Sequence, residues 1–354
     1  MPGWKNARQT SQNTVAAPKS TMSARVLPYC LPLVRPWVAA SVTLTERRGW
    51  LIALDEDGLT GWGDCAPLPS AHSENPCRTA LAHLAATGTL PPESPPETLW
   101  ALDTARQDLD AQRQGIPLAR ALTPNAAAEI AVNAALGTLD AGCVERAHAA
   151  RMQGFRIAKI KVGLAPIAEE LARLGEIAAV FGGRLRLDAN RAWPEVVARR
   201  FLTAIANLPI DAVEEPLAHP SLHTLAALQA ALPYALAVDE SLSSLGIRAL
   251  IDTRAVRRLV LKPARLGRFA ATQAIARQAQ SAGIEIVITS VIDSAIGVTA
   301  AAHLAAALAP NETHGLGTCA WLAADVATAP PIVDGTMILP QCPGLCIQPH
   351  KDPA

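Results

Sequence analysis

The sequence predicts an α/β fold: a (β/α) barrel carrying an N-terminal α+β cap. Three observations predict it. First, charged residues end short apolar runs at nearly constant spacing. Lys161 closes Lys-Ile-Lys, and Asp188, Glu214, Asp239 and Lys262 follow at steps of 27, 26, 25 and 23 residues. Such a step suits one βα unit, and barrel chemistry sits at the C-terminal ends of the strands. Second, after about residue 128 short β-rich runs alternate with Ala- and Leu-rich stretches, the pattern of parallel βαβ units. Third, the first third is strand-rich and holds two helical stretches, which suits a separate cap.

Four segments are expected: an extension over 1–21, a cap over 22–127, the barrel over 128–324, and a segment over 325–354 that returns to the cap. In the cap, two or three antiparallel strands run up to about Pro69, with a turn at Asp57-Gly58. Helices are expected over Pro76–Ala86 and Glu97–Arg113. In the second, Leu99, Leu102, Ala105 and Leu109 recur at helical spacing. Barrel strands are expected at Ile130–Val132, Ile157–Val162, Leu185–Asp188, Ala212–Glu215, Leu236–Asp239, Leu259–Lys262, Ile284–Ile288 and near His314. The alternative, an open doubly wound sheet, binds at one switch point and has little use for charges on five successive strands. No Gly-rich phosphate loop follows any strand, which also weakens it.

Half of the 354 residues are hydrophobic, enough for a large core. Lys+Arg and Asp+Glu both number 31, so nothing favours nucleic acid or a membrane surface. No apolar run reaches the roughly 18 residues of a membrane span; Ala295 to Leu308 reads as a buried barrel helix. The first 21 residues lack acids and an apolar segment, so they read as a disordered extension and the protein as cytoplasmic. The seven scattered cysteines read as reduced thiols. Oligomeric state is not legible.

Lys159 and Lys161 lie two apart on a strand and share a face. Each should disfavour the other's charge and lower its pKa, giving a base usable near neutral pH. The plain alternative is a strand end splaying lysines into solvent. Asp188, Glu214 and Asp239 come from successive strands about 4.8 Å apart, so their carboxylates can converge on one ion. Oxygen-only ligation favours Mg²⁺, with Mn²⁺ as a substitute. Singly, Asp188 could cap a helix; Glu214 and Glu215 point to opposite faces, so one of them could serve only to pair with an arginine, and Asp239 and Glu240 pose the same choice. Asn190 shares the Asp188 face and could orient a ligand. Lys262 would face the bound molecule from the other side. Arg47 and Arg48 read equally as carboxylate binders or surface residues.

Lys-Ile-Lys, "LDANRAW", "EEP", "VDES" and "LKP" occur in order, with "GWGDCAPLP", "ITSVIDSAIG" and "HGLGT" around them. The set resembles the enolase superfamily, in its muconate-lactonizing subgroup, and within that the o-succinylbenzoate synthase family. The resemblance implies a modified barrel, (β/α)7β. It implies Lys161 as acid and base, Lys159 as its tuner, and Lys262 across the substrate. Asp188, Glu214 and Asp239 would hold Mg²⁺, and Thr289 and Gly315 would contact the succinyl side chain. The implied reaction is Mg²⁺-dependent syn dehydration of 2-succinyl-6-hydroxy-2,4-cyclohexadiene-1-carboxylate to o-succinylbenzoate through an enediolate, in menaquinone biosynthesis. The partner is thus a small carboxylate. Racemisation of N-succinylamino acids or epimerisation of dipeptides uses the same frame, but "HGLGT" lacks the Asp-x-Asp of the dipeptide epimerases. The capping loop from Val34 to Thr45 is expected to set substrate choice. A barrel that only binds a ligand has no need of both lysines and all three carboxylates.

Overall fold

The computed structural model describes residues 22–39, 42–68 and 72–350. The expected extension over 1–21 lies outside the described residues, as do positions 40 and 41 of the capping loop.

The cap begins with an antiparallel sheet of β1 (Ser23–Ala39), β2 (Val42–Glu56) and β3 (Leu59–Cys65), in that order. Asp57 and Gly58 both have positive φ, 51° and 78°, which gives the tight β2–β3 turn the right-handed strand twist needs. Three helices follow: α1 (Glu74–Thr87), α2 (Pro96–Gln114) and α3 (Leu118–Leu122). Pro96 suits the first turn of α2, where its missing N–H costs nothing, and left-handed Gly115 ends the helix. The α2 face formed by Ala101, Ala105 and Leu109 is buried against β3. Any Cβ on Gly61 or Gly63 would strike the carbonyls of Ala105 and Ala101, so only glycine lets helix and strand approach this closely.

The barrel's first strand is broken at Asn133 into β4 (Glu129–Val132) and β5 (Ala134–Thr138). There follow α4 (Cys143–Met152), β6 (Ile157–Lys161), α5 (Ile167–Phe181), β7 (Arg184–Asp188), α6 (Glu195–Ala204), β8 (Ile210–Glu214) and α7 (Leu222–Ala230). Next come β9 (Ala235–Val238), α8 (Leu242–Leu245), α9 (Ile247–Thr253), β10 (Arg258–Leu261), α10 (Pro263–Leu266), α11 (Phe269–Ser281), β11 (Glu285–Ile288), α12 (Ala295–Leu308) and β12 (Thr313–His314). β5 to β11 form one parallel sheet in chain order. Its two edges are joined through β12, which pairs with β4 while Gly315 bridges Thr289 after β11. Helix follows each strand but the last, which is the (β/α)7β arrangement. The strands are buried on both faces and read as near-continuous apolar runs for that reason. The break at Asn133 is not visible in the sequence pattern.

The tail departs from expectation. Before reaching the cap it forms β13 (Ile332–Val333) and β14 (Thr336–Ile338), and β14 pairs antiparallel with barrel strand β4. Only then does Gly344 bond to Ile116 and Leu118 of the cap. Left-handed Gly344 and Cys346 turn the chain so that Cys342 and Cys346 pair as a disulfide, with Cα atoms 5.5 Å apart, where reduced thiols were expected. Among the described residues no helix is long and apolar enough to cross a membrane.

Candidate active site

Parallel registry carries the ladder to one level. Lys161 lies opposite Asp188, and Asp188 opposite Glu214. Asp239 and Lys262 stand just past the ends of β9 and β10. The Lys159 ammonium lies 2.9 Å from Asp188 Oδ2 and donates to both Glu214 oxygens at 2.8 and 2.9 Å. Lys262 is ion-paired with Asp239. Among the described residues Lys161 has no carboxylate partner; it donates to Asn190 Oδ1 at 2.9 Å and lies 5.0 Å from the centre of the Trp37 ring. A cavity of about 180 Å³ opens onto all three lysines, Thr289 and Gly315.

Charge is unequally matched across this mouth. Burial works against the Lys159 ammonium, but Asp188, Glu214 and Asp239 outweigh it and hold its pKa above the usual lysine value. That corrects the expectation that the two lysines depress each other. Only Lys161 is lowered, by burial first, with Lys159 and Lys262 adding to the shift and Asp188 opposing it. Burial also opposes the Asp188 charge, yet Lys159 and Lys161 hold its carboxyl below the usual range. The Glu214 carboxyl is pushed up to about 7, by burial and by the Asp188 and Asp239 charges. Burial raises Asp239, against the pull of Lys262.

The residues present fit a hard divalent cation. The donor set is oxygen only, and two of its carboxylates already converge on a single positive nitrogen within 3 Å. They do not form a ready cage, because Lys159 and Lys262 occupy their oxygens. Among the described residues no three carboxylates are placed to bind an ion in this arrangement.

Several partners were not foreseen. Glu215 does not pair with an arginine. Its Oε1 accepts from the backbone N–H of Asp239 at 2.7 Å and of Ser241 at 2.8 Å, so it fixes the strand end that presents Asp239. Asn190, with φ 43°, accepts from Lys161 and donates through Nδ2 to Glu240 at 2.6 Å. Trp37 comes from the capping strand, 124 positions before Lys161; its one signal was an aromatic ring in a run otherwise of Val, Arg and Pro. Arg47 is neither a surface residue nor a carboxylate binder: it is 2% exposed and bonded to three backbone carbonyls. Arg48 is exposed and paired with Glu46. Thr289 Oγ1 donates to Gly315 O at 2.9 Å, and a Cβ at Gly315 would collide with that hydroxyl.

This arrangement can be set against known proteins. Residues 142–353 match the family described as "Enolase C-terminal domain-like", and residues 21–89 match "MenC, N-terminal domain". An o-succinylbenzoate synthase of Pectobacterium atrosepticum is 31% identical over 304 residues, covering 82% of this chain and 88% of that protein. One from Klebsiella pneumoniae is 32% identical over 306 residues, covering 81% and 89%. The chain belongs to the o-succinylbenzoate synthase family of the enolase superfamily. Muconate lactonizing enzyme from Pseudomonas fluorescens shares the fold at 23% identity, with a TM-score of 0.82 over 94% of this chain and 97% of that one. The L-Ala-D/L-Glu epimerase of Bacillus subtilis superposes at 25% identity and a TM-score of 0.83, covering 92% and 97%. A dipeptide epimerase from Methylococcus capsulatus, solved with Mg and a dipeptide, matches at 25% identity and a TM-score of 0.81, covering 92% and 99%. Like its relatives, this family member is an enzyme of the barrel-and-cap type.

Proposed function

We propose that the chain dehydrates 2-succinyl-6-hydroxy-2,4-cyclohexadiene-1-carboxylate to o-succinylbenzoate, in menaquinone biosynthesis, with Lys161 as both base and acid. The observation that carries the assignment is the isolation of Lys161. Among the described residues it is the one cavity lysine without a carboxylate partner, and the one whose pKa falls, chiefly through burial. A neutral amine there can take the proton α to the ring carboxylate. The ammonium so formed stays close to the same face, and returns its proton to the departing hydroxyl as water leaves. Asn190 holds Lys161 Nζ in place through both states, because its carbonyl oxygen accepts from either. Asp188, Glu214 and Asp239 are the groups that would bind Mg²⁺, which supplies stabilisation of the negative charge that grows on the substrate carboxylate. Lys262 and Lys159 face the same cavity and add positive potential to it.

The product is aromatic, so the elimination runs downhill once the α proton has gone. The test is Mg²⁺-dependent conversion of the cyclohexadiene substrate, followed by loss of its absorbance. Turnover that disappears in Lys161→Ala supports the reading. Absent turnover in protein that still binds metal rejects it and sends the site to N-succinylamino acid and dipeptide racemisation.

A further inference from the structure

The loop that follows β11 is shared between cavity and cap. Thr289, Ser290, Val291 and Ile292 all line the cavity. Ile292 has a φ of +62°. A β-branched side chain crowds its own backbone in that region, so the conformation persists only where neighbours impose it.

The neighbours that impose it belong to the cap. Arg47 on β2 donates from Nε to the Ile292 carbonyl at 3.0 Å, from Nη1 to Pro67 O at 2.9 Å and from Nη2 to Ala66 O at 3.1 Å. Two residues beyond Ile292, Asp64 on β3 accepts from Ser294 N at 2.9 Å and Ser294 Oγ at 2.8 Å. Its other oxygen takes the Tyr29 hydroxyl at 2.7 Å. The turn is therefore gripped on both sides of Asp293.

The choice of arginine is informative. Its rigid fork serves three carbonyls at once, where a lysine would carry a single nitrogen. A buried guanidinium is costly, and an apolar side chain would fill a cap–barrel seam with less penalty. Asp64 and Asp293 both lie close enough to feel the Arg47 charge. All of its bonds go to the main chain, so its action is on the path of the loop.

We propose that Arg47 and Asp64 are positioning residues: they fix the turn at Ile292, and so set the apolar wall that Val291 and Ile292 present to the substrate ring. The inference rests on the proposed dehydration only for its choice of ligand. A wall that yields lets the bound ring shift, and binding weakens first.

The test compares Arg47→Met, Arg47→Lys and Ile292→Ala by amide hydrogen exchange and steady-state kinetics. Arg47→Met keeps an apolar stem and loses every donor. Exchange should accelerate about tenfold or more at residues 290–295 while the strands β6 to β10 keep wild-type protection. KM should rise roughly tenfold, with kcat within about threefold of wild type. Arg47→Lys should lie between. The Arg47→Met, Ile292→Ala double variant should lose less than the product of the single losses, because both act on one wall. Unchanged exchange at 290–295, an even rise through the barrel, or independent effects in the double variant would each overturn the proposal. If Arg47→Met does not fold, Asp64→Asn replaces it. Wild-type protein that fails to turn over the cyclohexadiene would reject the dehydration reading alone, and the exchange pattern would still decide the wall.

Discussion

The two ends of the barrel both carry buried charge and arrange it in opposite ways. At the N-terminal ends of the strands, Asp211 is 2.8 Å from Arg186 Nε and 2.5 Å from Arg258 Nη1, while Arg258 Nη2 reaches Glu285 at 2.7 Å. Burial opposes the Asp211 charge, yet the two arginines hold its carboxyl below the usual range. Arg186 also donates to Asn133 Oδ1 and Thr313 O, tying the first strand to the eighth. At the C-terminal mouth the matching is incomplete: Lys161 lacks a carboxylate, and Glu214 is pushed up to about 7. A matched network favours one arrangement and stabilises it. A mismatched one can exchange partners, and functional sites concentrate such perturbed groups.

The largest effect should come at the mouth. Lys161→Ala should lower kcat by at least about 10²–10⁴-fold, the usual contribution of a positioned acid or base. Its melting temperature should stay close to wild type, since the side chain removed makes one hydrogen bond, to Asn190, and no ion pair among the described residues. A marked loss of stability with it would mean that mouth and base differ less than their bonding shows. The converse variant is Asp211→Ala, which leaves Arg186 and Arg258 buried without their shared partner. It should cost roughly 3–5 kcal/mol of unfolding free energy, read from urea denaturation, with kcat of the folded fraction little changed. A fall in kcat without loss of stability would place the base of the barrel in the chemistry.

Acidity should separate the ends next. His314 on β12 is fully buried; its Nδ1 accepts from Ile288 N at 3.1 Å and its Nε2 lies 2.9 Å from Ala309 O. Burial lowers its pKa from 6.5 to about 4. Between those values the unfolded chain binds a proton that the folded chain refuses. The contribution of His314 to stability is therefore full above about pH 6.5 and falls as pH drops toward 4, by up to roughly 3 kcal/mol at about 1.4 kcal/mol per unit. The difference in unfolding free energy between wild type and His314→Asn should show that slope between pH 7 and 4, since the buried carboxyl of Glu214 and the buried ring of His303 titrate in both proteins. An unchanged slope in the variant would assign the acid loss elsewhere.

The ladder was legible in the sequence because a charge that closes an apolar run has few other places to stand. Lys161, Asp188, Glu214, Asp239 and Lys262 needed only strand period and spacing. What the sequence could not convey were contacts set by tertiary approach. Trp37 reaches Lys161 from another domain, and no local pattern announces it. Arg47 and Arg48 alternate along β2, so one had to face inward, but charge alone does not say which. The tail's pairing with β4 depends on an edge that exists only once the barrel's first strand breaks at Asn133. Glu215 falls between these cases: its position was plain, and its partner was not.

Glu215 also gives the finest test of the comparison, because it is a mouth residue bonded as if it belonged to the base. It is 2% exposed and lies directly after Glu214, yet its Oε1 accepts two backbone N–H bonds and its Oε2 accepts from Ser241 Oγ at 2.6 Å. Those bonds fix the turn from which Asp239 projects. Glu215→Gln keeps the shape and one carbonyl acceptor, but places an amide where an acceptor is needed. If the carboxylate serves only the fold, stability drops and Mg²⁺ affinity stays. If it orients Asp239 as a metal ligand, affinity should fall by about 10–100-fold, the usual cost of losing a group that holds a ligand in place. Calorimetric titration with Mg²⁺ reads the affinity and thermal denaturation the stability. We expect the larger change in affinity, because Asp239 retains Lys262 as a partner in the metal-free protein and so keeps its place in the fold without Glu215.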